Sequence, residues 1–446
     1  MKITKKKTAI SVLLALGVQA QAHGADLIEI YHAAQNQDAV FASARAAQQA
    51  GREKLPQGRS LMLPSVNLNA NATHNDITTN YPPSPFSSLI PANQKYNSRG
   101  YGATLTQPLF REQNWALYNE SELQVAISEA QFKQAEQDVI LRSAQAYFDV
   151  LIAQDTVSLT AAQKTAISQQ LEQAKRNFDV GTATITDTYE AQARYDLVVA
   201  QELAAANDLE VKRRTLQQLI NGDIGELNVL GSAFKLESPD PADVQKWVAD
   251  AQQGNYQIAA AQASYQIAEK EVARNRGGHL PTVDLVANYN KNTNVGANGL
   301  TPLDTRSTTI GIQLNLPLFQ GGATQSKWRE AEANREKARQ DLENTRRTVD
   351  LQTRQAYLGV VNGIARVQAL QQALKSSESL LQASKLGQEV GVRTNLDVLN
   401  AQQQLYSTRR DLYQAQYNYL VAKLSLKAAA GSLAEPDLVR VNEALH

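Results

Sequence analysis

Cysteine is absent from the chain. That excludes a disulfide framework and a thiolate metal site, and it leaves no cysteine to carry a lipid anchor. Aromatic residues make up only 6% of the 446 positions. So low a share argues against a compact globule with a large aromatic core. The abundance of Ala, Gln and Leu suits long helices with small contact residues instead. Beyond the first 22 residues there is no run of about 18 consecutive apolar residues, the length a spanning helix needs. Charge of one sign is also missing, since 44 Lys and Arg balance 44 Asp and Glu. No basic tract is interleaved with aromatics, which excludes a nucleic-acid surface. The five histidines, His23, His32, His74, His279 and His446, show no ligand spacing. No nucleophile motif is present, and Gly100-Tyr101-Gly102 lacks the third glycine of a dinucleotide loop. Neither enzyme chemistry nor a cofactor or metal site is expected.

The first residues carry a different signal. Lys2, Lys5, Lys6 and Lys7 precede an apolar run from Ala9 to Val18, and Ala20-Gln21-Ala22 forms a small-x-small site. This is the pattern of a secretory signal peptide over residues 1–22. The apolar run is too short for a bilayer core of about 30 Å. An exported chain with no later spanning helix is periplasmic, secreted or an outer-membrane β-protein.

The rest of the sequence reads as a duplication. Leu63-Pro64-Ser65-Val66 recurs as Leu280-Pro281-Thr282-Val283, and Gln107-Pro108-Leu109-Phe110 recurs as Leu316-Pro317-Leu318-Phe319. Val180-Gly181 with Ala191-Gln192 recurs as Val390-Gly391 with Ala401-Gln402. The first half has extra residues in Asn80–Asn97, where Pro82, Pro83, Pro85 and Pro91 mark an exposed loop. The spacing predicts a first repeat over 23–235, with strands at about 64–75 and 100–109 and long helices at about 111–180 and 184–221. A second repeat over 236–446 has strands at about 281–291 and 307–318 and long helices at about 323–389 and 394–430.

Period-two patterns define the strands. Val66, Leu68, Ala70 and Ala72 alternate with Asn67, Asn69 and Asn71, and Ile310, Ile312, Leu314 and Leu316 alternate with Gly311, Gln313 and Asn315. An apolar face opposite an Asn- and Gln-rich face suits lipid outside and water inside. Read alone, the strands also fit two soluble hairpins with one buried face. The helices narrow the choice. From Arg111 to Val180 there is neither Gly nor Pro, enough for a helix of roughly 105 Å at about 1.5 Å per residue. Such a helix does not fit a globular domain. Ile167, Leu171, Ala174 and Phe178, and Leu412, Ala415, Tyr419, Ala422 and Leu426, fall at three and four spacing, as in helices packed side by side. Four strands cannot close a membrane barrel, and open edges are not tolerated in lipid. A membrane protein of this plan must oligomerise, and an interior wide enough for solutes favours three copies over two.

These residues resemble the TolC family of outer-membrane channel-tunnels over nearly the whole mature sequence. The likeness is carried by the Leu-Pro-x-Val strand openings and by Gln107-Pro108-Leu109-Phe110 and Leu316-Pro317-Leu318-Phe319-Gln320-Gly321-Gly322. It continues through Tyr147-Phe148-Asp149-Val150-Leu151, Phe178-Asp179-Val180-Gly181, Val390-Gly391-Val392-Arg393-Thr394, Leu396-Asp397-Val398-Leu399 and Tyr417-Asn418-Tyr419-Leu420. Lack of cysteine is similar to the non-lipidated branch. The resemblance implies a mainly α chain with a membrane β-barrel, in which a homotrimer joins a twelve-stranded β-barrel to a twelve-helix α-barrel. It implies an exit duct for efflux or type I secretion, seated in outer-membrane lipid of a Gram-negative bacterium and reaching into the periplasm. There it would meet a periplasmic adaptor protein and an inner-membrane transporter. Other readings are a duct of another branch, for metals or solvents, and a periplasmic coiled-coil adaptor or structural protein.

The expected functional residues sit at two turns. Gly181 and Gly391 end helices at equivalent places and read as C-caps; the resemblance makes these turns the adaptor contacts. Thr184 with Asp187 and Thr394 with Asp397 read as capping boxes. In a trimer Asp397 would also form a carboxylate ring, which favours cations at a constriction. The family's second acidic ring position falls on Asn400, which is neutral. Arg393 reads as a solvated charge or, by resemblance, as a latch to Thr186 and Asp187 that holds the entrance shut. The family's companion tyrosine falls on Gln388.

Overall fold

A computed structural model describes residues 25–80, 82–83, 92–231, 234–294 and 303–445. The signal-peptide segment and most of the Pro-rich stretch lie outside the described residues. Helices α1 (Leu27–Gln37), α2 (Ala39–Arg52) and α3 (Lys54–Ser60) lead into strands β1 (Ser65–Thr78) and β2 (Asn93–Phe110). Then follow α4 (Glu112–Asp179), α5 (Ile185–Ile220), α6 (Val244–Gly254) and α7 (Tyr256–Arg276). Strands β3 (Thr282–Asn294) and β4 (Leu303–Asn315) precede α8 (Ala323–Glu389), α9 (Asn395–Ala429) and α10 (Glu435–Asn442). With 68 and 67 residues, α4 and α8 are each about 100 Å long.

One antiparallel sheet holds the four strands in the order β1-β2-β3-β4. Its register separates two chemistries, because alternate residues point to opposite faces. Val66, Leu105, Ala287 and Ile310 line up across one face. Asn69, Gly102, Asn290 and Ser307 line up across the other. Two glycines make that polar ladder possible. A Cβ on Gly102 would lie 2.1 Å from Asn290 Oδ1, and one on Gly100 would lie 2.2 Å from Asn292 Oδ1. The Gly100-Tyr101-Gly102 pattern thus makes room for asparagine side chains.

The hairpins run further than the sequence reading, with β1 reaching Thr78, β3 reaching Asn294 and β4 starting at Leu303, and two other strand ends depart for reasons the residues show. Strand β2 starts at Asn93, not near residue 100, and takes in part of the presumed loop. Residues 93–98 are polar on both faces, so no apolar alternation marked them. Pairing of Asn75 with Tyr96 and Asp76 with Lys95 extends the hairpin, and Lys95 adds an ion pair to Asp76 at 2.8 Å. Strand β4 ends at Asn315, so Leu316–Phe319 lie outside the sheet. Pro317 has no N–H to donate to a ladder. In β2 the related Pro108 stays in the strand, where a bulge between Pro108 and Phe110 turns the chain toward α4.

The helices form two hairpins, α4 with α5 and α8 with α9, and α7 lies against both α4 and α8. Their main core sits midway along, where Tyr147, Phe148, Leu151, Leu216, Tyr419, Leu420 and Leu424 pack with α1 and α10. The hydroxyl of Tyr147 donates to Asn228 O at 2.8 Å, and that of Tyr417 donates to Asp155 Oδ2 at 2.9 Å. Nearer the α4–α5 turn, Ile167, Leu171, Ala174, Ala191, Val198 and Leu399 bury one another. That cluster ties α9 to the α4–α5 hairpin, and so fixes the register on which the turns depend.

Candidate functional site

Both helical hairpins close with the same turn. Gly181 has φ of 78° and Gly391 has φ of 80°, values at which a Cβ would be strained. At the first turn Gly181 N donates to Phe178 O at 2.9 Å, and Thr182 N donates to Asn177 O at 2.8 Å. At the second, Gly391 N donates to Gln388 O at 3.1 Å, and Val392 N donates to Gly387 O at 2.8 Å. These are paired Schellman closures, each satisfying carbonyls that the helix end leaves open. Around them Val180 (72%), Val390 (66%) and Val392 (76%) are exposed. Each turn presents a small apolar cap with no cover among the described residues.

The helix that follows each turn starts with the expected capping box. Thr184 N donates to Asp187 Oδ2 at 2.9 Å, and Asp187 N donates back to Thr184 Oγ1 at 3.3 Å. Thr394 N donates to Asp397 Oδ2 at 2.9 Å, and Asp397 N donates to Thr394 Oγ1 at 3.2 Å. The bonds from Thr394, backbone first and hydroxyl second, hold the Asp397 carboxyl below its ordinary range, and Arg393 adds a smaller pull.

The remaining candidates are placed as follows. Arg393 Nη1 lies 3.8 Å from Asp397 Oδ1 in the same turn. Within the chain the arginine therefore faces its own Asp397. Thr186 is exposed, and Asp187 is engaged by Thr184. Gln388 Nε2 donates to Asn395 Oδ1 at 3.3 Å, which joins the end of α8 to the start of α9. Asn400 is exposed on α9, one turn beyond Asp397.

Asn400 has a partner that the sequence reading missed. Arg194 on α5 donates from Nη2 to Asn400 Oδ1 at 3.0 Å and from Nη1 to Gln403 Oε1 at 2.5 Å. Arg194 follows no motif. Only the packing of α5 on α9, set by the Ala191–Val198–Leu399 cluster, brings it there. Gly387 was missed as well, although a small residue four positions before Gly391 is a visible signal.

Among the described residues no group of His, Cys, Asp or Glu could hold a metal ion, and no helix is long and apolar enough to cross a membrane. The family model for outer membrane efflux proteins matches residues 30–222 and 247–432. Outer membrane protein TolC of Vibrio cholerae is 34% identical over 445 residues, covering 99% of both chains. Alkaline protease secretion protein AprF of Pseudomonas aeruginosa is 33% identical over 416 residues, covering 92% of this chain and 85% of that one. The solved outer membrane protein VceC of Vibrio cholerae superposes with a TM-score of 0.77 at 20% identity, over 91% of this chain and 96% of that chain. By the extent of the family match and the full-length likeness to these relatives, the chain belongs to the outer membrane efflux protein family.

Proposed function

We propose that this chain is the outer-membrane exit duct of an efflux or type I secretion system, working as a homotrimer. The observation that carries the reading is a four-stranded sheet whose terminal strands have no partner among the described residues and whose apolar face is bare. Leu68 is 80% exposed on β1, and Ile310 and Ile312 are 74% and 71% exposed on β4. Water would penalise that face, and lipid would penalise the open edges. Edge pairing between three copies answers both, giving a closed barrel of twelve strands. A soluble spacer would leave the apolar face uncovered.

Two matches to one family model, and two turns with the same hydrogen bonds, support repeats over 23–235 and 236–446. The family description, outer membrane efflux protein, and the name of one relative, a protease secretion protein, support a passage that takes small molecules or proteins. The duct lies in the outer membrane of a Gram-negative bacterium and extends into the periplasm. It is a channel protein, not an enzyme. The bare valines around Gly181 and Gly391 are where a periplasmic adaptor would dock, under an inner-membrane transporter. Asp397 lines the entrance, with Arg393, Thr186, Asp187 and Gln388 closing it across neighbouring helix pairs. The end of the β1–β2 hairpin, where Thr78 pairs with Asn93, faces the cell exterior.

Photo-crosslinkers at Val180 and Val392 in living cells test the reading. Recovery of an adaptor, from membranes that release the protein only into detergent as a trimer, is the expected result. A water-soluble monomer, or surface labels that fail to reach a tag placed between Thr78 and Asn93, would contradict it.

A further inference from the structure

Asp397, Asn400 and Gln403 recur every three residues, so they lie along one face of α9. Arg393 stands at the outer end of this stripe, paired with Asp397. The next two positions of the stripe are amides, and both accept from the Arg194 guanidinium. A planar guanidinium held at both ends by neutral acceptors is fixed in place without losing its charge. Each partner of Arg194 is a carboxamide, so these bonds neutralise nothing. The cation bridges residues one and two helical turns beyond Asp397, so it sits roughly 5–9 Å along the axis from that residue.

We infer that Arg194 sets the ion preference of the entrance by offsetting the Asp397 ring. The inference rests on the entrance reading of Asp397 given above. Three chains would then stack a cationic ring from Arg194 directly behind the anionic ring. Partly exposed charges this close act on the same passing ion, because their separation is comparable to the screening length of about 8 Å at physiological salt. A cation drawn to Asp397 meets repulsion within two turns, while an anion that clears the outer carboxylates is drawn on. The solutes favoured are anionic or overall neutral ones, including polypeptide segments of mixed charge. Asn400 contributes by being an amide. An acid at that position would bind the guanidinium as an ion pair and cancel its charge.

Reversal potentials of the purified trimer in planar bilayers, under a low-salt KCl gradient, test this. Arg194→Gln keeps hydrogen-bonding capacity and removes the charge. It is expected to raise the cation-to-anion permeability ratio about threefold or more, the order given by three partly screened charges. Arg194→Lys keeps the charge and should leave the ratio near wild type. Asp397→Asn should move it the other way. If Asp397→Asn shifts the ratio and Arg194→Gln does not, the role of Arg194 is overturned and the entrance reading stands. If neither shifts it, the selective constriction lies elsewhere and both fall. Equal shifts in Arg194→Gln and Arg194→Lys would assign the effect to hydrogen-bond geometry and overturn the charge argument. Trimer recovery on a gel separates each outcome from misfolding.

Discussion

The side chain of Arg393 lies across Gly387, and a Cβ on that glycine would stand 2.6 Å from Arg393 Cγ. The last turn of α8 therefore has a notch, and the arginine occupies it. From there Nη1 reaches within 3.8 Å of Asp397 Oδ1. That pair is loose and largely solvated, the kind that contributes little to stability and exchanges readily. Arg393 is thus held in position but weakly engaged, as the latch proposed above would require for a change of partners between closed and open states.

The first prediction concerns that latch. Arg393→Ser should raise single-channel conductance about twofold or more, since a shift in an open–closed balance needs a difference in contacts between the two states. Asp187→Ala should do the same, and the double variant should add little, because both changes remove one interaction. Gly387→Ala should mimic Arg393→Ser in part by lifting the side chain out of its notch. Wild-type conductance in Arg393→Ser would return Arg393 to a plain surface charge.

Asp397 is expected to bind multivalent cations that block the channel from the periplasmic side, and Asp397→Ala should relieve the block. The cap must be separated from the ring. Thr394→Ala removes the N-cap hydroxyl and costs about 1 kcal/mol of helix stability, yet it leaves the carboxylates in place. It should therefore still block. Because Thr394 and Arg393 lower the Asp397 pKa, the carboxylate stays ionised from neutral into mildly acidic solution. Block should hold constant across that window and fade only as pH drops below the ordinary carboxylate range. Fading nearer to neutral would point to another group.

Where the sheet meets the helices, Arg111 grips Asp284 with two bonds, Nε to Oδ1 at 2.8 Å and Nη2 to Oδ2 at 2.6 Å. The Asp284 side chain is 11% exposed and that of Arg111 is 38% exposed. Asp284→Asn would leave the arginine charge half-buried without its counter-charge, at a cost of about 2 kcal/mol after allowance for its solvent contact. The proposed trimer should dissociate at a lower temperature in detergent, with its pore properties unchanged. An unaltered melting temperature would count against this junction as a clamp.

Glu120 is 4% exposed on α4, facing Arg274 and Glu271 of α7. Burial raises its pKa to about 7; Arg274 opposes the shift and Glu271 adds to it. The folded protein therefore holds this proton more tightly than the unfolded chain, whose pKa is near 4.5. Its contribution to stability is complete below the unfolded value and is lost as pH rises through the folded one. Glu120→Gln should flatten that decline and stabilise the protein at pH 8 by about 2 kcal/mol. Thermal unfolding at mildly acidic and mildly basic pH would show it, and an unchanged pH slope would refute it.

Those features that rest on local chemistry were legible in the sequence. Runs without Gly or Pro marked α4, α5 and α9, and Thr-x-x-Asp after each turn glycine marked the capping boxes. Alternation of Val66 to Ala72 gave a strand. The near end of β2 was not legible, because Asn93 to Ser98 carry no apolar signal and are ordered by partners across the hairpin. Arg194 was hidden for a related reason. Its bonds depend on how far α5 slides along α9, and a buried cluster at Ala191, Val198 and Leu399 decides that, with no pattern around the arginine to announce it. The polar choice at Asn400 was visible, but its meaning was not until the guanidinium was found on it.

The outer edges of β1 and β4, unpartnered among the described residues, also have a genetic consequence. Under three-copy closure, each chain needs an intact left neighbour and an intact right one. A variant damaged along one edge would still occupy a seat, for example by a proline at Leu68 or Ile312. When such a variant and the wild type are made in equal amounts and mix freely, only roughly one assembly in eight contains none of it. Damage to a strand edge should therefore be dominant over the normal allele, whereas loss of the whole protein should be recessive.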